Sequence, residues 1–157
     1  MMAERDLVAK AEAFARQAHA GQVDKQGRDY ADHHLAPVAA LLRPFGPEAE
    51  AAGWLHDVIE DCGVTWGTLC KETGATVAVV DAVDSVTRRP WEPYETLIRR
   101  AADDQLGRYV KLMDNWVNLT GLDDLARVDP EKAASLRKRY EAARVVLLKA
   151  CGLEGEV

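Results

Sequence analysis

The chain has 157 residues, 48% hydrophobic and 29% charged, with a formal net charge of −6. That length supports one hydrophobic core without staples, and the acidic balance argues against a long nucleic-acid partner, which demands a basic surface. Three cysteines, Cys62, Cys70 and Cys151, show no CxxC spacing, which speaks against a disulfide framework or zinc ribbon and suits a reducing compartment.

The charged start, Met1-Met2-Ala3-Glu4-Arg5-Asp6, leads into no apolar h-region. No apolar run reaches the roughly 18–20 residues of a membrane span. The expectation is a cytoplasmic protein without a membrane partner. Leu7, Ala11, Phe14 and Ala18 recur at helical spacing and predict a first helix over 3–20, closed by Gly21. Residues 21–32 are polar and irregular and read as a loop. A second helix is expected from His34 or Leu35 to Arg43, with Pro37 in its first turn. Pro47 opens a third at its first position, running to Cys62. Thr65 caps a short helix closed by Gly74. Further helices are expected over 75–88, 93–102 and 103–122, and the last opens at Asp129-Pro130. Strand signals are scarce. About eight helices and no sheet predict a single all-α domain over 1–157.

Within the third predicted helix stands Gly53-Trp54-Leu55-His56-Asp57-Val58-Ile59-Glu60-Asp61-Cys62. On a continuous helix His56, Glu60, Asp57 and Asp61 share an arc of about 140°, with apolar residues opposite. A solvated acidic face has the same pattern, so this stretch leaves both readings open. Asp114 narrows the choice. It interrupts Tyr109-Val110-Lys111-Leu112-Met113 in a helix expected to be buried, with Asn118 one turn on. A buried carboxylate needs a charge partner or a metal. His33 and His34 lie where a loop enters a helix. A set of His33, His56, Asp57 and Asp114 drawn from different helices can hold a divalent metal with positions left open. Such a metal acidifies water and polarises a phosphoryl group. Glu60 and Asp61 can then orient or deprotonate that water.

Ala18-His19-Ala20-Gly21-Gln22, Tyr30-Ala31-Asp32-His33, His56-Asp57-Val58-Ile59-Glu60-Asp61 and Lys111-Leu112-Met113-Asp114 with Asn118 follow one another in order. Together they resemble the HD superfamily of metal-dependent phosphohydrolases. More narrowly, they resemble the hydrolase domain of stringent-response enzymes that remove the 3′-pyrophosphate of (p)ppGpp, over about residues 7–122. The resemblance implies that His33, His56, Asp57 and Asp114 bind one metal ion, Mn2+ in that family. It implies that Glu60 and Asp61 form the hydrolytic pair, that Lys25 and Asn118 approach the nucleotide, and that Arg88 meets substrate phosphate. His33 is the ligand by the family's Tyr-x-x-His-Pro spacing. His34 occupies the proline position and is expected to be half-exposed, and His19 to be a packing residue.

Two departures bear on the substrate. Asp24 stands where that family places an arginine against guanine, and Thr120-Gly121 replaces an Arg-Thr pair. An acid cannot supply the guanidinium's stacking contact. The expectation is an intact metal and water machinery with altered base recognition. A small nucleotide is the expected partner, with (p)ppGpp first. A deoxynucleoside monophosphate or NADPH is the alternative substrate, and a metal- and nucleotide-binding sensor the alternative class. At 157 residues, no synthetase domain is expected beside this one.

Overall fold

The computed structural model describes residues 2–155. Leu7, Ala11 and Ala15 form the buried stripe of α1 (Met2–Ala18), and the polar loop after it carries one isolated bridge between Val23 and Asp29. The chain then enters a π turn (Ala31–Leu35) that runs directly into α2 (Ala36–Leu42). A 3-10 turn over Arg43–Phe45 and Gly46 at φ 103° lead to α3 (Pro47–Leu55). After it come α4 (Val58–Cys62), α5 (Trp66–Thr73), α6 (Val77–Val86) and α7 (Tyr94–Asp103). The last are α8 (Gly107–Thr120), α9 (Leu122–Val128) and α10 (Pro130–Ala150). The architecture is all-α, with no strand among the described residues.

The predicted starts and stops have visible causes. Thr65, Thr76 and Asp129 each accept a backbone N–H three residues on. Pro47 and Pro130 occupy first-turn positions, and Gly74 closes α5 at φ 67°. Two boundaries differ from expectation. The predicted third helix is two segments, interrupted at His56-Asp57 with Asp57 at φ −107°, ψ −1°. The predicted 103–122 helix starts only at Gly107, because the Asp104 carboxylate accepts from the Leu106 and Gly107 amides. Past Gly121 a separate helix, α9, takes what was read as a connection. The split and this added helix give ten α-helices among the described residues, where about eight were expected.

α3 lies at the centre, packed by α1, α2, α6 and α8. Ala49, Ala51, Ala52, Trp54 and Leu55 are all buried, which is why its sequence is apolar around most of its circumference. Small residues set the spacing. A Cβ on Gly53 would come within 2.6 Å of Leu42 Cδ1 and 3.1 Å of Ala39 Cα, so only glycine lets α2 lie so close to the HD stretch. α10 buries Ala143 and Leu147 with Ile98 and Leu112, and Ala133 with Leu122 and Leu125. No described helix is long and apolar enough to cross a membrane.

Candidate metal centre

Four elements meet at one end of α3: the π turn, the α3–α4 break, the middle of α8, and the loop that follows α1. The break presents His56 and Asp57. The His56 ring turns back so that Nδ1 donates to the Gly53 carbonyl at 2.6 Å. That bond leaves Nε2 facing Asp57 Oδ2 at 3.1 Å and Asp114 Oδ1 at 3.4 Å. α8 contributes Asp114, buried as its sequence position required. Its two oxygens are divided: Oδ2 accepts from Lys111 Nζ at 2.8 Å, and Oδ1 accepts from Asn118 Nδ2 at 3.2 Å.

The histidine that joins them is His34. Its Nε2 lies 2.9 Å from Asp114 Oδ1 and 3.3 Å from His56 Nε2, and the residue is 7% exposed. His33 is exposed at the cavity wall. The expected assignment of these two neighbours is therefore reversed in burial and in contacts. The cause is the π turn. The Ala36 amide donates to the Ala31 carbonyl five residues back, so the turn holds one residue more than an α turn. That extra residue moves the inward face from position 33 to position 34.

His34, His56 and Asp57 offer ligand atoms that all lie within 4.8 Å of one another. The electrostatics fit a divalent cation. Burial opposes a charge on His56, yet Asp57 and Asp114 hold its proton affinity well above the ordinary histidine value. Burial likewise works against ionising Asp57 and Asp114. His56 overrides it for the first and Lys111 for the second, and both carboxyls sit below the ordinary range. Two imidazole Nε2 atoms and the Asp57 carboxylate, with Asp114 Oδ1 beside both rings, make a donor set of mixed nitrogen and oxygen, suited to a transition-metal dication.

Glu60 and Asp61 stand one turn on, at the cavity wall rather than in the donor set. Burial, reinforced by the Asp57 charge, raises the pKa of both. Glu60 Oε1 accepts the Arg88 amide at 2.7 Å, and Asp61 Oδ2 accepts from Gln22 Nε2 at 3.1 Å. Arg88 thus meets the site through its backbone. Its guanidinium donates to the Glu92 carbonyl and does not line the cavity, contrary to the expected phosphate contact. Lys25 and Asn118 do line it. The cavity, about 340 Å³, continues from the carboxylates to Leu122, Leu125 and Tyr140.

Two side chains without an assigned role in the sequence reading complete the geometry. The Tyr30 hydroxyl donates to Asp57 Oδ2, and its ring stacks on His34 at 4.9 Å between centroids. Gln22 is fixed by His19, whose Nδ1 donates to Gln22 Oε1 at 2.7 Å. His19 is buried, as a packing residue should be. Both Tyr30 and Gln22 stand inside the quoted motifs, which was the signal available. Trp91, by contrast, is fully exposed, with φ 64°.

A family model described as HD domain matches residues 11–152. A probable guanosine-3′,5′-bis(diphosphate) 3′-pyrophosphohydrolase of Synechocystis is 34% identical over 137 residues, 80% of this chain and 18% of that protein. The guanosine-3′,5′-bis(diphosphate) 3′-pyrophosphohydrolase of Haemophilus influenzae is 31% identical over 152 residues, 90% of this chain and 22% of that protein. The chain therefore spans about a fifth of the length of the curated relatives it matches. A solved structure of a metazoan ortholog of SpoT that hydrolyzes ppGpp superimposes with a TM-score of 0.65. The likeness covers 94% of this chain and 96% of that one at 21% identity, and it shows a shared fold. With the model spanning nearly all of its helices, the chain belongs to the HD domain family.

Proposed function

We propose that the chain is a metal-dependent phosphohydrolase that removes the 3′-pyrophosphate of a purine nucleotide such as (p)ppGpp, with Mn2+ as the ion. The observation that carries this reading is the pairing of a buried donor set, His34, His56, Asp57 and Asp114, with two carboxylates of raised pKa beside it. A binder alone has no need of that second pair.

A divalent cation in the donor set would polarise a phosphoryl oxygen and acidify water. The protein's own groups do the rest. Glu60, held by the Arg88 amide, and Asp61, held by Gln22, take the proton of the water that attacks phosphorus. The P–O bond to the ribose 3′ oxygen breaks, the carboxyl that took the proton passes it to that oxygen, and the free 3′-hydroxyl and pyrophosphate are released. Lys111 balances the buried Asp114 charge, while Lys25 and Asn118 at the wall face the nucleotide. On this reading residues 1–157 work as one hydrolase unit, in the cytoplasm, on a small nucleotide rather than on long nucleic acid or membrane.

The test is product analysis by ion exchange after incubating the protein with Mn2+ and ppGpp, with deoxynucleoside monophosphates and NADPH in parallel. GDP and pyrophosphate are expected from ppGpp, abolished by Asp57→Ala and slowed about 10²–10⁴-fold by Glu60→Gln. Metal bound with no turnover of any of these nucleotides favours a sensor. Turnover unchanged in Glu60→Gln contradicts the role given to Glu60.

A further inference from the structure

The C-terminal end of α6 is closed by a side chain from the last turn of α7. Arg100 Nη1 donates to the Asp84 carbonyl at 3.1 Å and to the Ser85 carbonyl at 3.4 Å, and Nη2 donates to the Thr87 carbonyl at 2.8 Å. A cation there satisfies orphan carbonyls and meets the negative end of the helix dipole. The other edge of the guanidinium holds Glu92, Nε to Oε1 at 2.6 Å and Nη2 to Oε2 at 2.9 Å. The Glu92 side chain is 7% exposed, and its bonds from Arg100 pull the carboxyl down to a pKa of about 2.

The turn between these two anchors passes through Trp91 at φ 64°, a left-handed conformation rare for a bulky residue. Trp91 is fully exposed, so its own packing offsets none of that strain. The turn is held from its flanks instead. Glu92 Oε2 also accepts the Arg89 amide at 2.9 Å, and the Arg88 guanidinium donates to the Glu92 carbonyl at 3.3 Å.

One peptide unit joins this clamp to the candidate centre. Its carbonyl belongs to Thr87 and accepts from Arg100, and its N–H belongs to Arg88 and donates to Glu60 Oε1 at 2.7 Å. A peptide is planar, so a guanidinium that fixes the carbonyl also fixes the direction of the N–H. Hydrogen bonds in series polarise one another, so the cation on the carbonyl side strengthens the donor offered to the Glu60 carboxylate. Arg100 itself does not line the cavity.

Resting on the reading of Glu60 as a group that takes the proton of the attacking water, we propose that Arg100 is a positioning residue for the hydrolysis. It orients the Glu60 carboxylate through the Thr87–Arg88 peptide, and Glu92 holds the guanidinium in place.

Arg100→Lys and Arg100→Met test this in the intact protein with Mn2+ and ppGpp. Lysine keeps a charge for Glu92 without the planar fork that also reaches the carbonyls, and methionine keeps the stem and removes every donor. Each should lower kcat about tenfold, the scale of one net hydrogen bond, with KM within about twofold. Circular dichroism checks the fold, and should methionine unfold the chain, lysine decides. In a Glu60→Gln background the same substitutions should lower kcat by less than about twofold further, because residues acting as one unit are not additive. Arg89→Ala breaks the exposed Asp84 pair on the same turn and should leave kcat unchanged. A readout independent of turnover is amide NMR of the metal-free protein, in which the Arg88 amide proton should move upfield and lose exchange protection in Arg100→Lys. Unchanged kcat in the folded variants overturns the inference. So do a loss confined to KM, an equal loss in Arg89→Ala, full multiplication of the losses in the double variants, or an unmoved Arg88 amide. An Arg88 amide that depends on Arg100 in a protein that turns over no nucleotide would contradict the proposed activity and leave the link from Arg100 to Glu60 standing.

Discussion

Gln22 reaches across 39 residues of sequence to hold Asp61, and its own amide is oriented by His19. That bond lowers a carboxyl which burial and the Asp57 charge otherwise raise. Replacing Gln22 by leucine removes the lowering contribution, so Asp61 should ionise only at higher pH. If the ionised form takes the proton, the acid limb of the kcat–pH profile moves upward, with KM for the nucleotide little changed. An unshifted profile with full activity would show that Asp61 does not act in the reacting step. Residue identities at the centre were legible. Asp114 stood out because a carboxylate in an apolar helix needs a partner, and it narrowed the choice for His56 and Asp57, whose own stretch left both readings open. The Arg88 contact was not legible, because it is made by a main-chain amide that every non-proline residue carries.

Helices were legible from apolar spacing and caps, and their interruptions were not. A continuous helix through Cys62 would have put His56 and Glu60 on one face. The break at His56-Asp57 instead sends the first pair into the buried donor set and leaves Glu60 and Asp61 at the wall. The π turn is the same lesson at a smaller step. Periodicity counts 3.6 residues per turn, so it cannot register one added residue, and the histidine chosen from spacing was the wrong neighbour for burial. Deleting Asp32 should restore an α-helical turn while keeping His34 inward, at the cost of the exposed Arg16–Asp32 ion pair, about 0–1 kcal/mol. Metal analysis should find the ion retained in that variant. Deleting Ala40, on the far side of His34 within α2, should lose it, because the shift there carries Leu42 out of the core. Loss in the first variant with retention in the second would contradict the register account.

Across the molecule, groups eighty residues apart converge on one point. The helices that carry them pack on α3, whose near-complete burial makes it the common wall. Lys111 offsets Asp114, but the pKa values of Glu60 and Asp61 are raised by burial and by the Asp57 charge, a repulsion that a bound cation would relieve. Metal binding should therefore stabilise the whole fold. At a free Mn2+ concentration 100 times Kd the gain is about 2.7 kcal/mol, or a rise in Tm of roughly 5–10 °C for a chain of this size. The most direct measurement is thermal unfolding with and without Mn2+ for the wild type, His34→Ala and His33→Ala. The account predicts that the Mn2+-dependent rise persists in His33→Ala and disappears in His34→Ala. A rise that survives in His34→Ala and vanishes in His33→Ala would contradict it.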